Sequence, residues 1–294
     1  MIVHLVDGTY ELFRQFFGRP GHVNAAGKEI GAARAVLRNT LTMLENDVTH
    51  LGVATDRVVE SFRNELYAPY KTGEGMDPEI MAQFAPLDDG LRALGVALFS
   101  MVEYEADDAM ASAAAVADAD ERVEKVLICT PDKDLAQSVR AGRVLQWDRR
   151  KDVIYDVDQV LEKYGVPPES IPDWLGLVGD TADGFPGLPG WGAKSAAAIL
   201  RRYGHIENIP TAAGQWDITV RGGAKLAATL ADNMADALLF KDLATLRIEA
   251  PTIDNVDELA WSAPTSDLPA IADFFDAPEL VSRANQLAER KAHQ

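Results

Sequence analysis

The sequence is poor in sulfur, in histidine and in positive charge. Its 294 residues include one cysteine, Cys129, so no internal disulfide can form. That cysteine lies in the apolar run VEKVLICT (123 to 130), where it reads as a small core residue rather than a ligand or nucleophile. The five histidines (His4, His22, His50, His205, His293) are scattered, with no H-E-x-x-H or Cys/His cluster, so no zinc site is visible. No stretch stays apolar long enough to span a bilayer. The N-terminus MIVHLVDGTY lacks a basic lead-in and meets an aspartate at position 7, so a soluble, cytoplasmic protein without a membrane partner is expected. Lys and Arg number 28 against 46 Asp and Glu, a net charge of −18, which by itself argues against a polyanionic partner. Composition is otherwise ordinary for a globular chain, 47% hydrophobic and 25% charged, and the length suits one large domain or two moderate ones.

The shortage of positive charge is uneven. Between Gly187 and Lys225 five basic residues (Lys194, Arg201, Arg202, Arg221, Lys225) face two acidic ones (Glu207, Asp217), a local excess of three. This region opens with GFPGLPGWGAKSAAAIL (184 to 200). A nucleotide-binding G-x-x-x-x-G-K-[ST] loop is out of register, because Ala193 separates Gly192 from Lys194, and no β-branched strand run precedes it. A Gly- and Pro-rich turn that opens into a helix remains. Such a turn presents free N–H groups to any phosphate, a nucleic-acid backbone included. A glycine-rich helix-turn-helix that only packs against its own domain fits the local sequence equally well.

The acids recur at telling places. IVHLVDG (2 to 8), THLGVATD (49 to 56) and EKVLICTPDKD (124 to 134) read as strands that deliver Asp7, Asp56, and then Asp132 with Asp134, at their carboxyl ends. Helical stretches at 32 to 47 and 107 to 119 complete a strand, helix, strand, helix, strand order, which favours a parallel α/β sheet with its ligand outside the carboxyl ends. YEADD (104 to 108) adds Glu105, Asp107 and Asp108, and GDTAD (179 to 183) adds Asp180 and Asp183. Helix capping explains any one of these alone. Together, two carboxylates about 4 Å apart repel by roughly 4 kcal/mol at an effective dielectric near 20, so a cluster needs cations or protons. Hard oxygen ligands without His or Cys suit Mg²⁺ or Mn²⁺, the equipment of two-metal phosphodiester hydrolysis.

With these motifs in place, the chain resembles the 5′-nucleases: flap endonucleases and the 5′-3′ exonuclease domain of bacterial DNA polymerase I. The likeness runs through LVDGTYELFR (5 to 14), TDRVVESFRNELYAPYK (55 to 71), YEADD, TPDKDLAQSV (130 to 139), LGLVGDTADGFPGLPGWGAKSAAAIL (175 to 200) and ADALLFKDLATL (235 to 246). It implies a Rossmann-like (PIN-like) parallel-sheet nuclease domain over residues 1 to 165, with a helical arch near 62 to 95. A helical domain over 166 to 294 follows, containing a helix-three-turn-helix near 174 to 203. All nine carboxylates match the family's metal ligands: Asp7, Asp56, Glu105, Asp107, Asp108, Asp132, Asp134, Asp180 and Asp183. Lys71 matches the lysine that contacts the scissile phosphate, with Arg63 as a second phosphate neutraliser, and Phe13 and Arg14 match positions near the terminal nucleotide. Gly187, Gly190, Gly192 and Lys194 would grip one strand of duplex DNA, with K⁺ as a further ion at that turn.

Two departures stand out. The arch segment YKTGEGMDPE (70 to 79) offers Thr72, Gly73, Glu74, Gly75 and Met76 where the family often has an arginine, so phosphate steering is expected to be weak. Gly184 follows Asp183 where the family commonly has asparagine, which questions the support of the metal ligands. The expected function is a monomeric, standalone, Mg²⁺-dependent (Mn²⁺ substituting) 5′-3′ exonuclease and flap endonuclease. Its substrates would be DNA flaps, nicks and 5′ ends, with RNA primers as a further 5′ strand, in replication and repair. The alternatives are a structure-specific DNA-binding paralogue that cleaves weakly and a metal-dependent ribonuclease or phosphatase.

Overall fold

A computed structural model describes Met1 to His293. The chain forms two compact units that interleave along the sequence. The first comprises residues 1–59, 73–130 and 248 onward; the second comprises 60–72 and 131–247.

The first unit is an α/β sandwich. Strands β1 (Ile2–Asp7), β2 (His50–Asp56), β3 (Ala97–Met101) and β4 (Lys125–Cys129) run parallel. Their order is β3, β2, β1, β4, with Asp7 opposite Ala54 and Asp56 opposite Met101. Strands covered on both faces read as continuous apolar runs rather than alternating ones, and Val3, Leu5, Leu51, Val53, Val126 and Ile128 are all fully enclosed. Helices α1 (Gly8–Gly18), α2 (Gly31–Glu45), α3 (Phe84–Ala93) and α4 (Ala106–Ala119) cover the sheet. The sequence pattern anticipates α2 and α4 to within two residues at each end. It misses α1, which follows β1 with no intervening loop, and the edge strand β3. The third strand ends at Cys129 rather than at the aspartates, so Asp132 and Asp134 lie beyond β4, on a loop and on a 3₁₀ turn (Asp134–Ser138). In the expected arch region, two single turns (Arg63–Leu66 and Pro78–Met81) precede α3 in the sequence, and α3 is a packed helix burying Leu87 and Leu91.

The second unit is mainly helical. An antiparallel hairpin, β5 (Val144–Asp148) with β6 (Val153–Tyr155), leads into α5 (Val157–Tyr164), α6 (Ile171–Val178), α7 (Ala193–Tyr203), α8 (Gly223–Asp232) and α9 (Met234–Ala244). Asp156 starts α5 with a capping box and Gly165 closes it in the left-handed region, the signals expected at those ends. The core gathers Leu175, Leu177, Phe185, Leu188, Ile199, Leu200, Leu230, Phe240 and Leu243, each buried leucine or isoleucine contributing about 1.5–3 kcal/mol. Among the described residues, no helix is long and apolar enough to cross a membrane.

Candidate metal and nucleic-acid site

Each unit carries its own set of carboxylates. In the first, Asp7 ends β1 and caps α1, accepting from the Tyr10 amide at 2.7 Å and from the Thr130 hydroxyl at 2.9 Å. Asp56 ends β2, and its Oδ1 accepts from the Ala106 amide at 2.8 Å. Glu105 and Asp108 form the capping box of α4, with the Glu105 amide 3.0 Å from Asp108 Oδ2. Asp107 is half-buried in the first turn of that helix. Capping and a functional role are therefore not exclusive here. The same hydrogen bonds that start the helices hold these oxygens in fixed positions.

The second unit is more crowded. Asp134, Asp180 and Asp183 each offer an oxygen, all within 4.8 Å of one another. Burial, then the charges of Asp132, Asp183 and Asp180, push the Asp134 carboxyl well above the usual carboxylate range. Its Oδ1 is buried with no hydrogen-bond partner among the described residues. A buried oxygen without a donor costs about 1–3 kcal/mol or more. Lys133 supplies part of the compensation through a 2.5 Å contact with Asp180. Three carboxylates crowded this closely, one with a buried oxygen lacking a donor, are a donor set that suits a divalent oxygen-seeking cation.

The segment bearing Lys71 is fastened to this cluster. The Lys71 amide donates to the Asp183 carbonyl at 2.9 Å, Tyr70 stacks on Phe185 at 6.5 Å, and Asn64 Nδ2 bonds the Tyr70 carbonyl at 2.7 Å. Gly184 makes this approach possible. Its φ is +81°, and a Cβ there would stand 2.6 Å from the Pro69 carbonyl. Asparagine tolerates that φ but not that contact, so the departure noted in the sequence goes with a close fit of 69–71 against the cluster.

Arg63 is not at a phosphate-facing position. It is 1% exposed, its Nε donates to the Leu243 carbonyl at 2.8 Å and its Nη2 to the Thr245 carbonyl at 3.1 Å, and its guanidinium lies 4.7 Å from the Phe62 ring centroid. A cation near the C-terminus of α9 satisfies the last carbonyls and the helix dipole. In the first unit Phe13 packs edge-on against Phe84 at 6.1 Å, and Arg14 is ion-paired with Glu11.

The glycines of the α6 to α7 turn have different jobs. At Gly187, φ is +66° and a Cβ would stand 2.3 Å from the Gly179 amide, so glycine is required by packing. At Gly190, φ is +82° with open space around it. Gly192 precedes α7 with φ −128°, also in open space. Lys194 is exposed in the first turn of α7 and lines an open groove of about 740 Å³ with Lys163, Tyr164, Trp174 and Arg201.

This arrangement has relatives. Residues 2–165 match the family model described as 5′-3′ exonuclease, N-terminal resolvase-like domain, and residues 166–267 match 5′-3′ exonuclease, C-terminal SAM fold. The chain belongs to the 5′-3′ exonuclease family. The 5′-3′ exonuclease of Aquifex aeolicus is 34% identical over 209 residues, covering 70% of this chain and 71% of that protein. DNA polymerase I of Pseudomonas aeruginosa is 34% identical over 265 residues, 87% of this chain but 28% of the polymerase. The chain thus spans less than a third of the polymerases it matches. In fold, the D15 protein of bacteriophage T5, co-crystallised with metal ions, aligns over 98% of this chain and 100% of its own, with a TM-score of 0.65 and 18% identity. The catalytic core of Rad2 in complex with DNA substrate aligns over 97% and 91%, with a TM-score of 0.60 and 14% identity. The resolvase-like sheet domain and the helical domain foreseen from the sequence are therefore those of the 5′-3′ exonuclease family.

Three residues of this family member went unnoticed in the sequence: Lys133 against Asp180, Asn64 behind Lys71, and Gly179. Lys133 was legible, standing between two aspartates in TPDKD. Gly179 and Asn64 act through contacts to backbone only a few residues further along, at Pro186 and Gly187 and at Tyr70, where the turn leaves no motif.

Proposed function

We propose that this chain is a divalent-metal-dependent 5′-nuclease that hydrolyses DNA phosphodiester bonds at 5′ ends, nicks and flaps. The observation that carries it is the Asp134, Asp180 and Asp183 cluster, with an orphaned buried oxygen and the Lys71 backbone fastened to it. Mg²⁺ is the proposed ion, with Mn²⁺ as substitute, because every candidate ligand is a carboxylate. Asp7, Asp56, Glu105, Asp107 and Asp108 of the first unit, and Asp132 of the second, are further proposed ligands, direct or through water. Bound cations supply Lewis-acid chemistry, lowering the pKa of water and screening phosphate charge. Lys71 brings a further positive charge toward the scissile phosphate, and the crowded carboxylates keep the phosphate away until cations neutralise them. Phe13 and Arg14 would hold the terminal nucleotide. Gly190, Gly192 and Lys194 would hold a duplex backbone away from the cut, with K⁺ at the turn. RNA-primed 5′ strands and a monomeric state belong to the same proposal. A cytoplasmic setting does too.

The test is cleavage of 5′-labelled flap, nicked and blunt duplexes in Mg²⁺, Mn²⁺, Zn²⁺ and EDTA, with RNA and small phosphoesters as competitors. Products carrying 5′-phosphates, made only in Mg²⁺ or Mn²⁺, are expected. Full activity in EDTA, or with Zn²⁺ alone, would overturn the reading. Flap binding without metal-dependent cleavage would favour a non-cleaving paralogue.

A further inference from the structure

At the far end of α1 the first unit holds a cavity of about 130 Å³, lined by Gln15, Phe16, Arg19, Glu29 and Glu79. Gln15 is 2% exposed, and its Nε2 is buried without a hydrogen-bond partner among the described residues. An unsatisfied amide at a cavity wall points to something that the cavity receives. One acceptor of the lining is held in place. Glu29 Oε1 accepts from the His22 amide at 2.9 Å and the Gly31 amide at 2.8 Å. Gly21 leaves room for the same carboxylate, since a Cβ there would stand 2.7 Å from Oε2. Phe16 adds an aromatic wall, backed edge-on by Phe17 at 5.2 Å, and Phe17 is itself 75% exposed.

Size and chemistry narrow the ligand. A cavity of about 150 Å³ accepts one benzene ring, so this one suits a single-ring heterocycle. A purely anionic ligand is disfavoured by Glu29 and Glu79, and a purely apolar one by Gln15 and Arg19. A planar ring with both donors and acceptors satisfies all four. We propose that this cavity receives one unpaired pyrimidine of the substrate's 5′ strand, cytosine in preference to thymine. Glutamate accepts from the cytosine exocyclic amine, amide and guanidinium groups donate to its ring nitrogen and carbonyl, and thymine has no amine to offer. Phe16 contributes the stacking that unpaired bases find on aromatic side chains. The proposal rests on the nuclease reading above for its strand. Gln15 lies eight residues along α1 from Asp7, about 12 Å at 1.5 Å per residue, so the base read would lie within a few nucleotides of the one held near Asp7.

The test uses flap duplexes with dC, dT or an abasic site at each of the first four unpaired positions of the 5′ strand. They are titrated in Ca²⁺ at fixed salt. At one position dC should bind about tenfold more tightly than the abasic site, the lower part of the range for a hydrogen-bonded base contact, with dT close to abasic. Gln15→Leu should bring that ratio close to one. Arg19→Ala, at an exposed residue whose loss spares the core, should lower it as well. Equal affinities for the three substrates at every position, as for a cavity holding only water, overturn the proposal. So does a dC preference that both variants keep in full. Cleavage in Mg²⁺ is read separately: base preference without cleavage at any metal concentration defeats the nuclease reading and leaves the pocket standing, and cleavage without base preference does the reverse.

Discussion

The two sets of carboxylates differ in how their oxygens are satisfied. In the first unit Asp7, Asp56 and Asp108 each accept a backbone amide, and Asp7 a hydroxyl as well. Donors of this kind fix the carboxylate oxygens in place. In the second unit Asp134 meets Asp132, Asp180 and Asp183 with an oxygen left over and one ammonium nearby. That cluster leaves a buried Asp134 oxygen without a donor. The difference teaches where metal dependence should originate: the first set is preorganised whatever the solution holds, and the second changes its energy most when a cation arrives.

The largest effects should come from removing charge in the Asp134 cluster. Asp183→Asn should lower Mg²⁺-dependent single-turnover cleavage by roughly three orders of magnitude, since Lewis-acid assistance is worth several kcal/mol. Flap affinity in Ca²⁺ should persist. Loss of binding in parallel with cleavage would mean that Asp183 holds the fold or the DNA instead. Lys71→Ala should cost less, about a hundredfold in rate, the size of one electrostatic contact to a reacting group. Its duplex affinity should stay near wild type, and a variant that cleaves at the wild-type rate would remove Lys71 from the chemistry.

Stability offers a sharper contrast. The Asp134 carboxyl has its folded pKa raised, so the native state binds more protons than the unfolded chain across the window from ordinary carboxylate pH up to that raised value. Metal-free stability should therefore fall as pH rises through this window and level off above it. Asp134→Asn should remove that dependence and raise the melting temperature at neutral pH in EDTA, by about 2–4 °C for each kcal/mol of relieved repulsion. It should also abolish stabilisation by Mg²⁺. Asp108→Asn, in the first unit, should do the opposite in EDTA, because it disturbs a satisfied capping box. Thermal melts of both variants against pH, with and without Mg²⁺, decide whether the two sets differ as described. Equal shifts would erase the contrast.

Much of this was legible in the residues. The apolar runs of β1 and β2 end at Asp7 and Asp56 as expected, because a strand buried on both faces leaves an unmistakable run. Asp132 and Asp134 were placed at a strand end that the structure puts five residues earlier. Pro131, directly after VLICT, is the stop signal that marks this boundary. The family resemblance puts Arg63 at phosphate, yet its buried guanidinium donates to the carbonyls of Leu243 and Thr245, about 180 residues away in sequence. Contacts of that range leave no periodicity to detect. Nor does Gln15, whose significance lies in an amide lacking a partner.

The smallest predicted effects separate glycines that the sequence treats alike. Gly190 and Gly192 flank the same turn, both in open space, but only Gly190 has positive φ, at +82° against −128° for Gly192. Threonine at 190 must adopt a left-handed backbone, at a cost of about 1–2 kcal/mol, so Gly190→Thr should lower the melting temperature whether or not DNA binds there. Threonine at 192 faces no such strain, and at a helix N-cap it is as acceptable as glycine. Gly192→Thr should therefore leave stability within about 0.5 kcal/mol of wild type. If a phosphate approaches the backbone at this turn, the added methyl and hydroxyl must intrude on it, and flap affinity in Ca²⁺ should fall severalfold with no change in melting. Lys194→Ala should weaken binding to all sequences alike and reduce the slope of log affinity against log salt by about one. Measured together, melting of the two glycine variants and salt-dependent affinity of all three distinguish a phosphate grip from a packing turn. Should Gly192→Thr and Lys194→Ala bind flap DNA with wild-type affinity and slope, the turn is structural, and the basic excess of this region serves the groove beside Lys163 and Arg201 or nothing that DNA reads.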